Sequence, residues 1–446
     1  MTQIYQGLEA RDLLDRLSVL RLPFLPKAFP SFGGKEDHVS TPPLTLLIET
    51  QKDGRFTLHP LVQQLASQRL AEQPLLRQQA HEQAIGYYQE LLSSGSRDQA
   101  AACIESAYHL LELGRAREAL EGLRQRVREV VSFGYGRELL ALTRRIEAAG
   151  LVESTSDPDE RTRVLLDLAL LYIRLPVSDI ADNHLRAIHY CGQAITCCPK
   201  TQDPVLHASA LNILGMACSG LPIGDPRKNL HRAQQSYRKA LAIYQQYNLP
   251  VGCAVVHNNI GAAWMELSAL GGEWCVDRAV GHFKLAARLY QEGVDLFTWA
   301  LVESNLGHAL CLLGRTEEGR RHFQEALQHF RLDNLPREYA DTQRHLGDAH
   351  RLLSSGSRIV QLQEAIRYYA AALKVYEEEI FPEDFARTQH FLGVSHQQLA
   401  LYEDASKHRG LAVKCYQNAL RVYTEEGFPY NHRTITAILG RDLQKS

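Results

Sequence analysis

Apolar and polar residues alternate with a helical period along most of this chain. In the stretch YAAALKVY, Tyr369, Leu373 and Tyr376 fall at i, i+4 and i+7, on one face of a helix. The same pattern returns at near-constant intervals. A Leu-Gly or Ile-Gly pair ends at Gly215, Gly261, Gly307, Gly347, Gly393 and Gly440, with spacings of 46, 46, 40, 46 and 47 residues. An aromatic signature follows each of the first five, beginning at Tyr237, Phe283, Phe323, Tyr369 and Tyr416. A proline closes most units, at Pro204, Pro250, Pro336, Pro382 and Pro429, with Leu296 where one more is expected. Stepping back 46 residues from Gly215 reaches Ala169, so a weaker unit starts near residue 161. Each unit reads as two amphipathic helices that cannot bury their apolar stripes alone and must stack on neighbours. A helix-interior glycine costs about 1 kcal/mol relative to alanine. Its recurrence therefore predicts close helix approach, with Ala240, Ala286, Ala326, Ala372 and Ala419 as the matching small face. Pro336 and Pro382 suit a helix first turn.

These residues resemble the tetratricopeptide repeat family. The unit at Gly307 matches its intervals with Gly319, Phe323 and Ala326, and the unit at Gly347 matches after six added residues with Ala365, Tyr369 and Ala372. The resemblance implies an all-α, right-handed superhelix over residues 161–446. The usual period is about 34 residues. A period of 40 predicts a second helix about two turns longer, and 46 adds a longer turn between the helices. The family's tryptophan position holds Leu211, His257, Glu303, Gln343 and Gln389 instead. The last partial unit, from Thr434, reads as a single capping helix.

The first 160 residues divide into a small domain over 1–75 and helical hairpins over 76–160. LEARDLLDRLSVL is an amphipathic helix, and 23–43 is loop with at most a short helix. LTLLIET, the Asp53-Gly54 turn signal and RFTL form a hairpin, and Pro60 opens a helix through Leu70. Helix, hairpin, helix is a winged-helix order. LLIE, DGRFTLHPLV and ASQRL resemble the winged-helix module behind the nucleotide-binding core of STAND (NB-ARC type) signalling NTPases. That resemblance implies a phosphate-sensing role for His59, and it agrees with the hairpin AYHLLELGRAREALEGL and the repeats that follow. No GxxxxGK[ST] loop is present, and Gly33-Gly34-Lys35-Glu36 lacks its spacing and its hydroxyl. The chain begins where that core would end, so ATP hydrolysis by this chain is not expected. His59 then reads as the cap of a wing-to-helix turn.

Charge and cysteine content narrow the function classes. Lys plus Arg total 49 against 51 Asp plus Glu, a net charge of −2, which argues against a sequence-independent nucleic-acid binder. No apolar run reaches the ~18–20 residues of a membrane span, and no signal peptide is evident, so the expected location is cytoplasmic. Nine cysteines without a CxxC pair read as reduced core residues rather than disulfides. Cys191, Cys197, Cys198 and His189 lack the close ligand pairing of a zinc site. No metal, cofactor or catalytic constellation is expected.

The resemblance places the binding surface on the first helices. Groove positions lie six and three residues before the repeat glycine, and one and four after it. They read Ser209, Asn212, Met216 and Ser219; Val255, Asn258, Ala262 and Met265; Leu301, Ser304, His308 and Cys311; Asp341, Arg344, Asp348 and Arg351; Arg387, His390, Val394 and Gln397. Asn212, Asn258, Met265, Ser304, His308, Arg344, Arg351, Arg387 and His390 are the candidate partner contacts. The arginines suit carboxylates, unless Asp341 and Asp348 already neutralise Arg344 and Arg351 along their helix. The expected function is non-enzymatic: the groove binds a peptide or protein as the sensor part of a STAND-like system, and the winged-helix end docks on a nucleotide-binding core of another chain or on another partner. One alternative is a winged-helix DNA-binding regulator, whose reading helix carries only Arg69, with Lys52 and Arg55 in the wing. Another is a constitutive scaffold or co-chaperone, for which a carboxylate-clamp set is incomplete.

Overall fold

The computed structural model describes residues 11–34, 47–51, 54–93, 98–175, 180–272, 274–291, 296–353, 356–426 and 428–443. Lys52, Asp53 and Lys35-Glu36 of the sequence reading lie outside them. The chain forms two compact units, residues 1–130 with 135–156, and 131–134 with 157–446. Among the described residues the fold is all-α apart from one hairpin: a tetratricopeptide solenoid and a small N-terminal domain.

In the first unit, α1 (Arg11–Leu17) and α2 (Ala28–Ser31) precede β1 (Ile48–Thr50) and β2 (Phe56–Leu58), then α3 (Pro60–Ala71), α4 (Pro74–Ser93) and α5 (Gln99–Glu112). The strands pair antiparallel, Ile48 opposite Leu58 and Thr50 opposite Phe56. Phe24 adds a bridge to Phe56, and Phe24, Phe29 and Phe56 meet edge-on or tilted, with ring centroids 5.9–6.4 Å apart. These rings join Leu14, Leu17, Val62, Ala66 and Tyr87 in one core that ties the hairpin to α1, α3 and α4. Gly114, at φ +72°, ends the turn after α5 and lets α6 (Ala116–Ser132) fold back. Then come α7 (Gly136–Ala148) and α8 (Leu151–Ser154).

The second unit continues as antiparallel pairs: α9 (Pro158–Arg174) with α10 (Ile180–Cys197), α11 (Pro204–Ser219) with α12 (Pro226–Gln246), α13 (Pro250–Ala269) with α14 (Cys275–Gln291), α15 (Leu296–Leu312) with α16 (Thr316–Ala326), α17 (Pro336–Leu352) with α18 (Arg358–Ala372) and α19 (Pro382–Leu399) with α20 (Ala405–Val422). The single helix α21 (Pro429–Leu443) follows. Asp157, Asp203 and Asp225 each stand before a helix-opening proline, and their carboxylates accept from backbone N–H groups of the first turn.

The repeat glycines are sockets for aromatic rings. A Cβ added to Gly261, Gly347 or Gly393 would lie 2.6–2.8 Å from a ring carbon of Phe283, Tyr369 or Tyr416, and one on Gly215 would overlap Tyr237. At Gly307 the backbone O of Gly319 comes closest, at 2.8 Å, with Phe323 at 3.0 Å. The close approach is thus made by the signature ring at Gly215, Gly261, Gly347 and Gly393 and by the second-helix backbone at Gly307, not by the alanines expected to fill it. Those alanines, all buried, share clusters instead with a second alanine seven residues before each glycine: Ala208 with Ala240, Ala254 with Ala286, Ala300 with Ala326, Ala340 with Ala372, Ala386 with Ala419. In the weak first unit, Ala169 and Cys191 hold the glycine and ring positions, both fully buried. A methyl and a thiol there replace hydrogen and ring.

The added chain length is distributed differently from expectation. After Gly215 the second helix is indeed long, 21 residues in α12. After Gly307 the second helix, α16, is 11 residues and stops at Ala326. The extra residues form the turns at 327–335, where Asn334 accepts from Arg331 N–H (2.8 Å) and donates to His329 O (2.8 Å), replacing helical bonds. The same happens at 373–381 after α18. The second signature aromatic stays buried in every case, as Tyr244, Tyr290, Phe330, Tyr376 and Tyr423.

Candidate partner-binding face

The positions three residues before the glycine are more buried than a groove contact should be: Asn212, Asn258 and Arg344 are 8% exposed and Ser304 4%. The cause is a ladder between successive first helices. Asn259 donates to Asn212 Oδ1 (3.0 Å) and Asn305 donates to Asn258 Oδ1 (3.0 Å). One unit on, Ser304 bonds the Thr342 hydroxyl (3.2 Å), and His308 stacks on His345 with centroids 4.2 Å apart. These candidate contacts are therefore spent largely on registering one repeat against the next. Met265 is partly buried against the core of α13–α15.

At six residues before the glycine, the side chain meets the tip of the second aromatic. Ser209 bonds Tyr244 Oη (2.9 Å), and Tyr376 Oη donates to Asp341 (2.6 Å). Leu301 instead packs with Phe330, which has no hydroxyl. The unit at Gly261 departs from this match, with apolar Val255 at the same position although its second aromatic is Tyr290.

The charged end centres on α17 and α19. Asp348 receives Tyr369 Oη (2.7 Å), Arg344 Nη1 (3.3 Å) and Arg351 Nη2 (3.5 Å). Asp341 lies 3.8 Å from Arg344, while Arg337 of α17 reaches Asp384 of α19 (3.3 Å). Arg387 pairs with Glu383 one turn away (2.7 Å). Burial, then the Asp341 charge, push the Asp384 carboxyl up. Burial followed by Asp348 and Asp341 holds Tyr369 and Tyr376 well above the usual phenol range, so both stay protonated donors. Burial lowers His308 to about 4, aided by Arg344, and lowers His390, aided by Arg351, so both are neutral at pH 7. Arg337 Nε and Arg344 Nε are buried donors with no acceptor among the described residues. The sequence reading missed Arg337, Asp384 and the two tyrosine hydroxyls. The neutralisation of Arg344 and Arg351 by Asp341 and Asp348 is present.

His59 occupies the N-cap of α3, where its Nδ1 accepts from Leu61 N–H (3.2 Å). The described basic residues of the hairpin and α3 are committed: Arg55 to Asp98 (2.6 Å), and Arg69 to Asp12 and Asp15 (3.1 Å each). Among the described residues no three His, Cys, Asp or Glu side chains converge as metal ligands. Cys191 and Cys198 are buried thiols whose pKa values burial raises, while His189 bonds Gln193 (3.1 Å). No described helix is long and apolar enough to cross a membrane.

No protein-family model matches the chain, and no curated protein matches its sequence. Among solved structures, it is similar to a Signal Transduction ATPase with Numerous Domains (STAND) protein with a tetratricopeptide repeat sensor from Pyrococcus horikoshii. That likeness has a TM-score of 0.51 at 14% identity and covers 100% of this chain and 64% of that one. The chain therefore spans under two thirds of that protein's length. A Rap protein complexed with competence and sporulation factor gives TM-score 0.44 at 13% identity, covering 78% and 98% of the two chains. The APC/C hetero-tetramer Cut9–Hcn1 gives 0.33 at 15% identity, covering 82% and 83%. At such identities the first likeness speaks for the architecture alone: this chain is built like a tetratricopeptide array.

Proposed function

We propose that this chain is a non-enzymatic interaction module that binds a peptide or protein along the first-helix face of its array. The observation that carries this is the charged set on α17 and α19. Arg337, Asp341, Arg344, Asp348, Asp384 and Arg387 lie across two adjacent first helices and are held by tyrosine hydroxyls. Its outer members remain accessible, with side-chain exposures of 37% for Asp341 and 39% for Arg387. A preorganised set of this kind loses little side-chain entropy when a partner docks. Arg387 then exchanges Glu383 for an acidic side chain or C-terminal carboxylate of the partner. Asn212, Asn258, Ser304, Met265 and His308 shape the neighbouring face, and Arg351 and His390 complete its charged end. The hairpin-bearing N-terminal domain acts as a winged-helix-like docking end for a nucleotide-binding core on another chain. The module works in the cytoplasm as the sensor of a STAND-like system, and binding shifts an equilibrium between held and released states. A DNA-reading role lacks support, because Arg55 and Arg69 are already paired with carboxylates.

Affinity capture from lysate with the full chain, beside an Arg387→Glu, Ser219→Arg variant, tests this reading. A partner held by the parent chain and lost by the variant supports it. Equal retention by both overturns the assignment of the face.

A further inference from the structure

A cavity of about 270 Å³ opens between α12, α13 and α14. It is lined by the second helices α12 and α14 of two successive repeats and by the first helix α13 between them, and it uses none of the first-helix positions above. Its floor is apolar, from Leu241, Ile260 and the Trp264 ring. Its polar lining contains donors and no carboxylate. Arg238 and Arg278 stand at its walls, and among the described residues neither has an ion-pair partner. The Arg278 guanidinium lies 4.6 Å over the Trp264 ring, which leaves its in-plane N–H groups free to donate. Gln234, 4% exposed, also lines the cavity, and its buried Nε2 has no acceptor among the described residues. A buried amide donor left unmet costs roughly 1–3 kcal/mol, which marks a site waiting for an acceptor. His282 completes the wall. Its Nδ1 is engaged with His257 Nδ1 (2.9 Å), so Nε2 is its remaining polar atom. The charges that bear on His282 are His257 and Arg238, both cationic when charged.

We propose that this cavity binds a small oxyanion carried on a flat apolar body, such as an aryl carboxylate or aryl phosphate. Arg238, Arg278, Gln234 and His282 would hold the oxygens, and Trp264, Leu241 and Ile260 would take the ring. Guanidinium forks match carboxylate and phosphate oxygens. The volume sits just below the usual range for ligand pockets, about 300–1,000 Å³, which selects for a ligand of one ring and one anionic group. Such a ligand would bridge two repeats and couple small-molecule binding to the spacing of α12 and α14.

Isothermal titration of the full chain with benzoate, phenyl phosphate and inorganic phosphate tests this. The expected result is saturable binding of benzoate or phenyl phosphate, weakened at least about tenfold in Arg238→Gln, Arg278→Gln, the loss expected for charge-assisted bonds. A charge-matched control, Arg320→Gln, Arg331→Gln on exposed pairs of the same array, should retain the parent affinity. Trp264→Leu should weaken phenyl phosphate more than inorganic phosphate. Preference for benzoate or for phenyl phosphate names the head group. No saturable heat with either aryl ligand, or equal loss in both double variants, overturns the site. Inorganic phosphate binding as tightly as phenyl phosphate overturns the aryl part of the proposal.

Discussion

The first-helix face of the array changes character along its length. In α11 to α15 the position three before the glycine is an amide or hydroxyl that bonds the next repeat. In α17 the same position is Arg344, surrounded by carboxylates and a histidine. The backbone is the same in both halves, with a glycine socket, a buried ring and a buried alanine pair. What differs is where the polar side chains find partners. In the early units they look along the array and stitch repeats together. In the later units they look within one repeat and its neighbour's edge, and a concentrated charged set results. A uniform scaffold can therefore carry register in one stretch and recognition chemistry in another.

The sharpest test of that contrast removes one partner from each half. Asp348→Ala strands Arg344, Arg351 and the Tyr369 hydroxyl together, and loss of one member of a buried pair costs about 3–5 kcal/mol. Asn258→Ala removes one neutral bond and should cost about 1 kcal/mol. Urea midpoints of the two variants should differ several-fold in shift, and equal shifts would erase the distinction between the halves. The shared scaffold comes next. Gly347→Ala drives a methyl into the buried Tyr369 ring and should destabilise by about 1–3 kcal/mol. Gly281→Ala, on an open face of α14, should stabilise by roughly 0.5–1 kcal/mol. Thermal melts that move both variants the same way would break the socket reading.

Histidine titration separates the halves more gently. Burial is the leading cause that lowers His109 to about 3 and His282, His308 and His396 to about 4. The unfolded chain, with imidazoles near 6.5, binds these protons first. Stability should therefore be full above about pH 6.5 and fall as pH drops toward 4. Melts between pH 7.5 and 5 should show Tm falling with pH. The double change His396→Gln, His408→Gln should flatten that slope, since it removes a pair joined through Nδ1 atoms 3.1 Å apart. An unchanged slope would assign the acid sensitivity elsewhere.

Much of the scaffold is legible in the sequence, because sockets, rings and prolines are local rules repeated at a fixed period. The partner of each glycine is less legible. Gly347 has both an alanine face and a ring at plausible spacing, and only packing decides that Tyr369 wins. Helix length is hidden for a similar reason. ALAIYQQYNLP and ALQHFRLDNLP align without a gap, yet the second leaves the helix at Leu327, where Asn334 supplies side-chain bonds. The candidate face is read at the level of position but not of role. Asn212 and Asn258 stand where expected, but their oxygens are taken by the next repeat. Arg337 and Asp384 lie off the expected positions and join through a contact between helices that one-dimensional spacing does not encode.

The amide ladder also sets rules for recombining this gene. Position minus three of one unit must suit position minus two of the unit that follows. Excising the 46-residue unit around Gly261 would bring Asn212 against Asn305 and preserve an amide pair. Excising the 40-residue unit around Gly307 would instead set Asn258 against the His345 ring. The first shortened chain should melt closer to the parent than the second. Unit loss and duplication in such an array would then be governed by a nearest-neighbour grammar, with some unit orders permitted and others forbidden.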